Sequence, residues 1–289
     1  MMRRPLVAVL LAAVLLACAQ RSAPDGGVAP SGSTVVAPER GSLVVVGGGR
    51  VGPEIVNEFL RLAGGKQAAF VVIPTAGGDT AYTDSCACTR FLRDAGATDV
   101  TVLHTYDPKQ ADTEEFVAPI RRANAVWFPG GRQWRLADAY LGTRTERELH
   151  ALLARGGVVG GSSAGASIQA SYLVRGAPEG NTIMMAPGHE RGFGFLRDVA
   201  VDQHVLARNR LNDLPEVLAK HTKLLGIGID EGTAIVVQRD TFTVLGASKV
   251  FVYGGRDQPD SGKVYRTLIS GDQYDLGRRR VIPRMGPES

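Results

Sequence analysis

The stretch GGVVGGSSAGASIQ at residues 156–169 decides the fold. Its first half is a short apolar run between glycines, which predicts a buried strand, and its second half begins with small residues and is predicted to become helical. A strand that feeds directly into a helix is typical of an α/β domain. Working outward, short apolar runs alternate with amphipathic stretches from Ser42 onward, which predicts a mostly parallel sheet with helices on both faces.

The remaining predicted elements extend this pattern in both directions. Before the stretch, the runs SLVVVGG, AAFVVIPTA, DVTVLHT and AVWFPGG are predicted strands. The predicted helices lie at 53–62, 89–95, 114–123, 134–141, 145–155 and 208–220. After the strand DVAVDQHV and the predicted helix at 208–220, the chain continues with the runs LLGIGID, GTAIVVQ, TFTVLG and KVFVYGG. No helix is predicted between these four runs. They predict antiparallel hairpins that extend the sheet near the C-terminus.

The N-terminus has the pattern of an export signal, predicted at residues 1–17. Two arginines precede the apolar run 6–17, which is short for a membrane span, since a spanning helix needs about 20 apolar residues. Leu15-Leu16-Ala17-Cys18 also resembles the bacterial lipobox, which predicts lipidation of Cys18; an ordinary signal peptide cut nearby is the alternative. Either way we expect an exported protein, periplasmic or at the cell surface as a lipoprotein, otherwise secreted.

Three further segments are predicted downstream. Residues 18–41 are rich in Ser, Pro, Gly and Ala and predict a flexible tether. Residues 42–255 form one folded domain, and 256–289 a peripheral C-terminal tail.

Charge and cysteine content narrow the function classes. The net charge of +4 falls to +2 once the signal and its two arginines are removed, so no nucleic-acid footprint is expected. Membrane contact is expected only through the anchor. Cys86 and Cys88 are a C-x-C pair, for which a local disulfide and two ordinary thiols stay open alternatives. Nothing nearby supplies the further ligands of a metal site, so neither a metal nor another cofactor is predicted.

The pattern Gly-x-Ser-x-Gly at residues 161–165 is that of a nucleophile elbow. The serine sits in a strained turn, and its neighbours must be small so that the chains can pass closely. Ser163 is therefore the predicted nucleophile, and the N–H of Ala164 can face a developing oxyanion. Gly131, at the end of AVWFPGG, is the candidate second oxyanion donor, and Gln133 on the same loop is a candidate substrate-binding residue.

A serine nucleophile needs a base, and the chain has five histidines. His204 follows a predicted strand beyond the elbow, which suits a base; His189 also stays open. Glu231, at the end of LLGIGID, is the best candidate for the acid that orients the base, and Asp230 is its competitor. Spacing alone does not choose between the two acids.

Gly47-Gly48-Gly49-Arg50-Val51-Gly52 matches the dinucleotide-binding pattern G-x-G-x-x-G. That pattern also requires an acidic residue at the end of the second strand, and the second strand here ends in IPTAGG. We therefore expect a tight glycine turn at the sheet edge, with no bound dinucleotide.

Six blocks in order closely resemble cyanophycinase and its relatives, the serine peptidase family that also contains α-aspartyl dipeptidase. They are VVGGGR, FVVIPTA, WFPGGRQWRL, VVGGSSAGASI, VDQHVLARNRL and LLGIGIDEGTAIVV, and the resemblance covers residues 42–255. It implies a class I glutamine-amidotransferase-like fold and a hydrolase domain with the triad Ser163, His204 and Glu231. It also implies a homodimer.

Cyanophycinase cleaves a poly-aspartate polymer that carries arginine on its side-chain carboxyls. The resemblance implies a pocket for such a peptide or polymer substrate, in which arginines pair with carboxylates and acids with guanidinium groups. Its implied residues are Gln133, Asp202, Gln203, Arg208 and Arg210. The family motif continues as R-G-R-L-G-R, whereas this chain has Asp213 at the last arginine. A dipeptidase or amidase of altered specificity and a catalytically silent binding lipoprotein are therefore the alternatives.

Overall fold

A computed structural model describes residues 35–284 of the chain. The predicted export signal and the lipidation site Cys18 lie outside these residues. In the part that the structure describes, no helix has both the length and the apolar character needed to cross a bilayer.

The described residues form fourteen strands and eight α-helices. The strands are β1 Ser42–Val46, β2 Ala69–Val72, β3 Asp99–Val102, β4 Ala125–Phe128, β5 Val158–Ser162, β6 Ala170–Tyr172, β7 Leu196–Gln203, β8 Leu225–Ile229, β9 Thr233–Gln238, β10 Thr241–Gly246, β11 Lys249–Tyr253, β12 Tyr265–Ile269, β13 Gln273–Asp275 and β14 Arg280–Ile282. The helices are α1 Pro53–Ala63, α2 Arg90–Asp94, α3 Pro108–Ala111, α4 Glu114–Arg122, α5 Gln133–Tyr140, α6 Arg144–Ala154, α7 Ala164–Ser167 and α8 Leu214–Lys220.

The strands form two sheets. The larger has the order β14-β13-β10-β9-β1-β5-β4-β2-β3, in which the five strands from β1 to β3 are parallel and β9 joins β1 antiparallel. The smaller has the order β12-β11-β8-β7-β6, with β6, β7 and β8 parallel. The α/β fold class, a mostly parallel sheet with helices on both faces and antiparallel strands near the C-terminus, is confirmed.

Strand β1 explains why this sheet is covered on both sides. Successive side chains of a strand point to opposite faces. Leu43 and Val45 pack into a core with α4, α5 and α6, whereas Val44 and Val46 pack into a second core with α1 and α2. All four side chains are fully buried, and each contributes about 1.5–3 kcal/mol of burial free energy.

The predicted hairpin extension is correct for β9 and β10 but not for the neighbouring runs. LLGIGID and KVFVYGG form β8 and β11, which pair with each other in the smaller sheet. β8 belongs to the smaller sheet because it pairs parallel with β7. Pairing of that kind between distant segments leaves no local sequence signal.

Two predicted helices are shorter in the structure. The segment after Ser163 is helical for one turn, in α7, and then enters β6, because its backbone is taken up by pairing with β7. The predicted helix at 208–220 begins only at Leu214. Asn209 has φ 54°, and the N–H of Arg210 bonds the carbonyl of Val205, so a turn replaces the first part of that helix.

Both predicted peripheral segments need correction where the structure describes them. Val36 and Ala37 fall in the predicted tether, but they are buried and their N–H groups donate to Asp240 at 2.8 and 2.9 Å. Residues 256–284 fall in the predicted peripheral tail, but they supply β12, β13 and β14, and Tyr274 is fully buried. The folded unit therefore begins before residue 42 and continues past residue 255.

Candidate active site

The nucleophile elbow lies at the carboxyl end of β5, between β1 and β4 of the larger sheet. β5 ends at Ser162, α7 begins at Ala164, and Ser163 between them has φ 56° and ψ −111°. Positive φ is costly for a residue with a Cβ and persists only where the surroundings enforce it. Ser163 is partly exposed while both its neighbours are buried, so its side chain is the one presented outside the core.

Close packing around the elbow explains the two glycines of the motif. A Cβ on Gly161 would lie 2.3 Å from the carbonyl oxygen of Gly165. A Cβ on Gly165 would lie 2.0 Å from the carbonyl oxygen of Phe128 in β4. Both contacts are with backbone atoms, which cannot move aside like a flexible side chain. The pattern Gly-x-Ser-x-Gly is therefore required by the approach of α7 to β4 and β5.

His204 is the histidine that the fold brings to Ser163. It follows β7 directly, and its Nε2 lies 2.8 Å from the Oγ of Ser163. Its backbone N–H donates to the carbonyl of Gly47 at the end of β1, and its φ is also 56°. The two sheets therefore meet at this point, because β5 of the larger sheet carries the serine and β7 of the smaller sheet carries the histidine.

The structure also distinguishes the two acidic candidates. Glu231 accepts from the Nδ1 of His204 at 2.5 Å. Asp230 forms no hydrogen bond with the imidazole; its Oδ1 accepts the N–H groups of Leu206 and Ala207, and its Oδ2 accepts the hydroxyl of Ser248. Asp230 therefore fastens the loop that follows His204, whereas Glu231 holds the ring itself.

The surroundings of His204 favour its neutral form. Burial lowers the pKa of the imidazole below its usual value, and the hydrogen bond that Nδ1 donates to Glu231 opposes that shift. The nearby guanidinium groups of Arg208 and Arg210 lower the pKa further. With the Nδ1 proton donated to Glu231, Nε2 is left as an acceptor for the Ser163 hydroxyl.

The glycine pattern at 47–52 does not lie at a sheet edge as predicted, because β1 is an inner strand of the larger sheet. A Cβ on Gly48, whose φ is 117°, would lie 2.2 Å from Cε1 of His204. A Cβ on Gly49 would lie 2.9 Å from Oε2 of Glu231. These glycines leave the space in which the His204–Glu231 pair packs.

The two predicted oxyanion donors flank the nucleophile. Gly130 is close enough that a Cβ placed on it would be 3.3 Å from the Cβ of Ser163, which puts the 129–132 loop beside the elbow. Within residues 35–284, the N–H groups of Gly131 and Ala164 donate to no protein acceptor. Gly131 has φ 144°, and a Cβ there would lie 2.0 Å from the carbonyl oxygen of Ala76.

Most residues of the implied substrate pocket are engaged within the protein. Asp202 is fully buried, and both its oxygens are bound by Arg175, at 2.9 Å from Nε and 3.0 Å from Nη2. The same guanidinium pairs with Asp213, and its Nη1 donates to the carbonyl of Asn181. Asp213, which replaces the arginine of the family motif, thus shares Arg175 with Asp202.

The other implied pocket residues are also bonded within the protein, with one exception. Gln133 is buried and donates to the carbonyl of Val174, and Arg210 is buried against the side chain and carbonyl of Gln203. Arg208 alone among them is exposed. Of this set, the structure therefore leaves only the side chain of Arg208 open to a ligand.

Four histidines lie away from the elbow. His104 bonds Thr75, His150 bonds the carbonyl of Phe193, His189 lies 3.2 Å from Asp138, and His221 packs against the ring of Tyr172. In residues 35–284 no cluster of His, Cys, Asp and Glu is arranged to hold a metal ion. Cys86 and Cys88 are joined in a disulfide.

Two functional neighbours were missed by sequence reasoning. The glycine run after β1 marks Gly48 in the sequence, but that run by itself predicts only a plain turn. Arg175 had none, because its importance comes from contacts with residues 27 and 38 positions further along the chain.

A serine on a strand-to-helix elbow, in contact with a histidine that is held by a glutamate, defines the class of serine-type hydrolases. Residues 43–245 match the model of peptidase family S51, and the chain belongs to this family. It is therefore a serine-type peptidase.

Curated relatives support the same assignment. A cyanophycinase from Geminocystis herdmanii is 31% identical over 223 residues, which cover 75% of this chain and 82% of the relative. A cyanophycinase from Nostoc sp. is 30% identical over 267 residues, which cover 84% of this chain and 88% of the relative.

Solved structures share the fold. A peptidase from an acI-B1 Actinobacterium matches with a TM-score of 0.63 at 23% identity, covering 83% of this chain and 98% of that one. A putative peptidase E from Listeria monocytogenes matches with a TM-score of 0.51 at 18% identity, covering 72% of this chain and all of that one.

Proposed function

We propose that this chain is an exported serine peptidase that hydrolyses β-aspartyl-arginine polymer, cyanophycin, or related aspartyl peptides. The observation that carries the proposal is the continuous chain of contacts from Ser163 through His204 to Glu231, at 2.8 and 2.5 Å. The cyanophycinase names of relatives at 30–31% identity support the choice of substrate class.

In the first half of the reaction, His204 Nε2 accepts the hydroxyl proton of Ser163 as its Oγ attacks the amide carbonyl carbon. The negative charge that develops on the carbonyl oxygen is met by the N–H groups of Ala164 and Gly131. Glu231 stabilises the imidazolium through Nδ1. His204 then gives its proton to the leaving amine, the C–N bond breaks, and the acyl group remains esterified to Ser163.

In the second half, His204 is neutral again and takes a proton from a water molecule. The water oxygen attacks the ester carbonyl, and the same two N–H groups meet the oxyanion. Collapse releases the carboxylate product, and Ser163 Oγ recovers its proton from His204. The lowered pKa of His204 suits this cycle, since the neutral base is the form that starts both halves.

A dipeptidase or amidase acting on other aspartyl substrates is the second candidate. It is favoured by the pairing of Arg175 with Asp202 and Asp213, which leaves neither acid free for a substrate guanidinium. A catalytically silent binding lipoprotein is disfavoured, because a binding protein has no use for a serine held at positive φ against a histidine.

The deciding experiment is release of β-aspartyl-arginine from purified cyanophycin by residues 35–289, with and without Ser163→Ala. Ser167→Ala is the matched control, since this buried hydroxyl has no hydrogen-bond partner in the described residues. We expect release by the wild type and by Ser167→Ala, and none by Ser163→Ala. If folded wild type releases nothing, a panel of α- and β-aspartyl dipeptides tests the second candidate.

The export part of the proposal depends on residues 1–18 and needs its own test. We expect the full chain, expressed in a bacterial host, to fractionate with membranes and to carry a lipid on Cys18. Cys18→Ala is expected to move it to the soluble periplasmic fraction. Mass spectrometry of the mature N-terminus separates lipidation from an ordinary signal cleavage, and an unprocessed chain in the cytoplasm would refute export.

A further inference from the structure

A cavity of about 680 Å³ lies between α1, α2 and the carboxyl ends of the parallel strands. Gly130 and Ser162 line its inner end. Both adjoin the nucleophile, because Ser162 precedes Ser163 in the chain and Gly130 faces the Ser163 side chain. A substrate whose carbonyl carbon reaches Ser163 can therefore extend into this cavity.

The floor of the cavity is apolar and its rim is charged. Trp127 and Phe91, whose ring centroids are 4.9 Å apart, form part of the lining. Arg50, Arg90 and Asp94 are the charged residues among those lining it, and all three are exposed. The rim therefore has a net charge of +1, with two guanidinium groups against one carboxylate.

Neither rim arginine is neutralised by the protein. Within residues 35–284, the side chains of Arg50 and Arg90 form no ion pair and no hydrogen bond. By contrast, Arg175 and Arg210, on the side of His204, are buried and already bound within the protein, Arg175 by Asp202 and the Nη1 of Arg210 by Gln203. The cations available to a bound ligand beside Ser162 are thus Arg50 and Arg90.

We propose that this cavity is a subsite for a carboxylate-bearing part of the peptide substrate, which Arg50 and Arg90 bind. Arginine binds carboxylates through two parallel N–H groups, and a tryptophan floor supplies apolar contact for the remainder of the ligand. The inference rests on the proposed function, in that Ser163 cleaves the peptide whose neighbouring residue enters the cavity.

The test uses three synthetic β-aspartyl peptides that differ only in a Glu, Gln or Lys residue beside the scissile bond, placed on either side in turn. We expect wild type to prefer the Glu peptide. Arg50→Gln and Arg90→Gln should each raise KM for that peptide about five- to tenfold with kcat within about twofold. The double variant should lose the preference for Glu over Gln.

Control variants separate a specific subsite from a general effect of charge. Arg122→Gln removes an exposed arginine at the end of α4, remote from the cavity lining, and should change nothing. Asp94→Asn should lower KM for the Glu peptide about two- to threefold, because it removes the acid from the rim. Arg90→Glu should move the preference toward the Lys peptide.

Binding to the Ser163→Ala variant, measured by calorimetry, keeps this test independent of turnover. A tighter Kd for the Glu peptide than for the Gln peptide, lost when both arginines are replaced, supports the subsite even if wild type cleaves neither. Equal Kd values for the two peptides, or a preference that survives the double replacement, would overturn it. Cleavage of the peptides without any preference would leave the peptidase activity standing and remove the subsite alone.

Discussion

The imidazole of His204 packs against the backbone of Gly48, so that a Cβ on Gly48 would lie 2.2 Å from Cε1 of the ring. Because φ at Gly48 is 117°, an alanine there would be strained as well as obstructed. We expect Gly48→Ala to displace His204 from Ser163 and to lower kcat at least about a hundredfold. Steady-state kinetics on an aspartyl peptide measure this loss. Gly52→Ala, where a Cβ meets nothing within 4 Å, should keep wild-type kcat.

The Glu231 carboxylate holds the His204 ring in the tautomer that accepts a proton at Nε2. Glu231→Gln keeps the shape but can present its NH₂ group to Nδ1, which favours the wrong tautomer. We expect kcat to fall about 10³- to 10⁴-fold, by analogy with the Ser-His-Asp triad, while the thermal midpoint moves by a few degrees at most. Retention of a tenth or more of wild-type kcat would contradict the role of Glu231.

Asp230 has a stabilising role that depends on pH. Burial alone would raise its pKa, but hydrogen bonds from Ser248, Ala207, Glu231 and Leu206 outweigh it and hold the pKa below its usual value. The stabilisation is therefore present above the unfolded-state pKa of about 3.9 and is lost as pH falls through the folded-state value.

We expect Asp230→Asn to lower the free energy of unfolding by about 1–3 kcal/mol at pH 7, because it weakens the bonds that fasten the loop after His204. Urea unfolding at pH 7 and at pH 3.5 should show a smaller difference between wild type and variant at the lower pH. A difference that does not change with pH would contradict the assignment.

The charge of Arg208 acts on His204, the proposed base. It lowers the pKa of His204, and the acid limb of kcat/KM reports that pKa in the free enzyme. Removing the charge in Arg208→Gln should raise the pKa and move the acid limb to higher pH, so that the variant loses activity earlier on acidification. The pH profile measures this shift, and Arg122→Gln should leave it unchanged.

Asp213 reverses the charge of the last arginine in the family motif. Arg175 is fixed between Asp202 and Asp213. Asp213→Arg would place a second guanidinium beside a buried one, and we expect it to lower the free energy of unfolding by about 1–3 kcal/mol. Glu216→Arg, an exposed charge reversal on the same stretch of chain, should cost less. Equal losses for both would indicate that the Arg175 pairs contribute nothing.

Some elements and site residues could be predicted from local pattern. The glycines at 161 and 165 around Ser163 reflect close backbone contacts. Because such contacts restrict the residue type directly, the elbow can be predicted from the sequence. The inner parallel strands β1, β4 and β5 can be predicted because they are buried on both faces and mainly apolar. The second sheet could not be predicted, because β8 and β11 pair with strands distant in sequence. The residue pattern of a strand does not show which other strand it pairs with.

The sequence by itself determined the α/β class, the nucleophile elbow, and the short set of histidines and acids from which a triad could be drawn. The family resemblance implied the triad, but only the tertiary structure showed the contact of His204 with Ser163, the separate contacts of Glu231 and Asp230, and the pairing of Arg175 with Asp213. The physical reason is the distance along the chain between the residues that decide each feature. Strand burial and a tight turn depend on neighbouring residues, whereas the contacts of a polar side chain depend on how β5, β7 and β8 are brought together across two sheets.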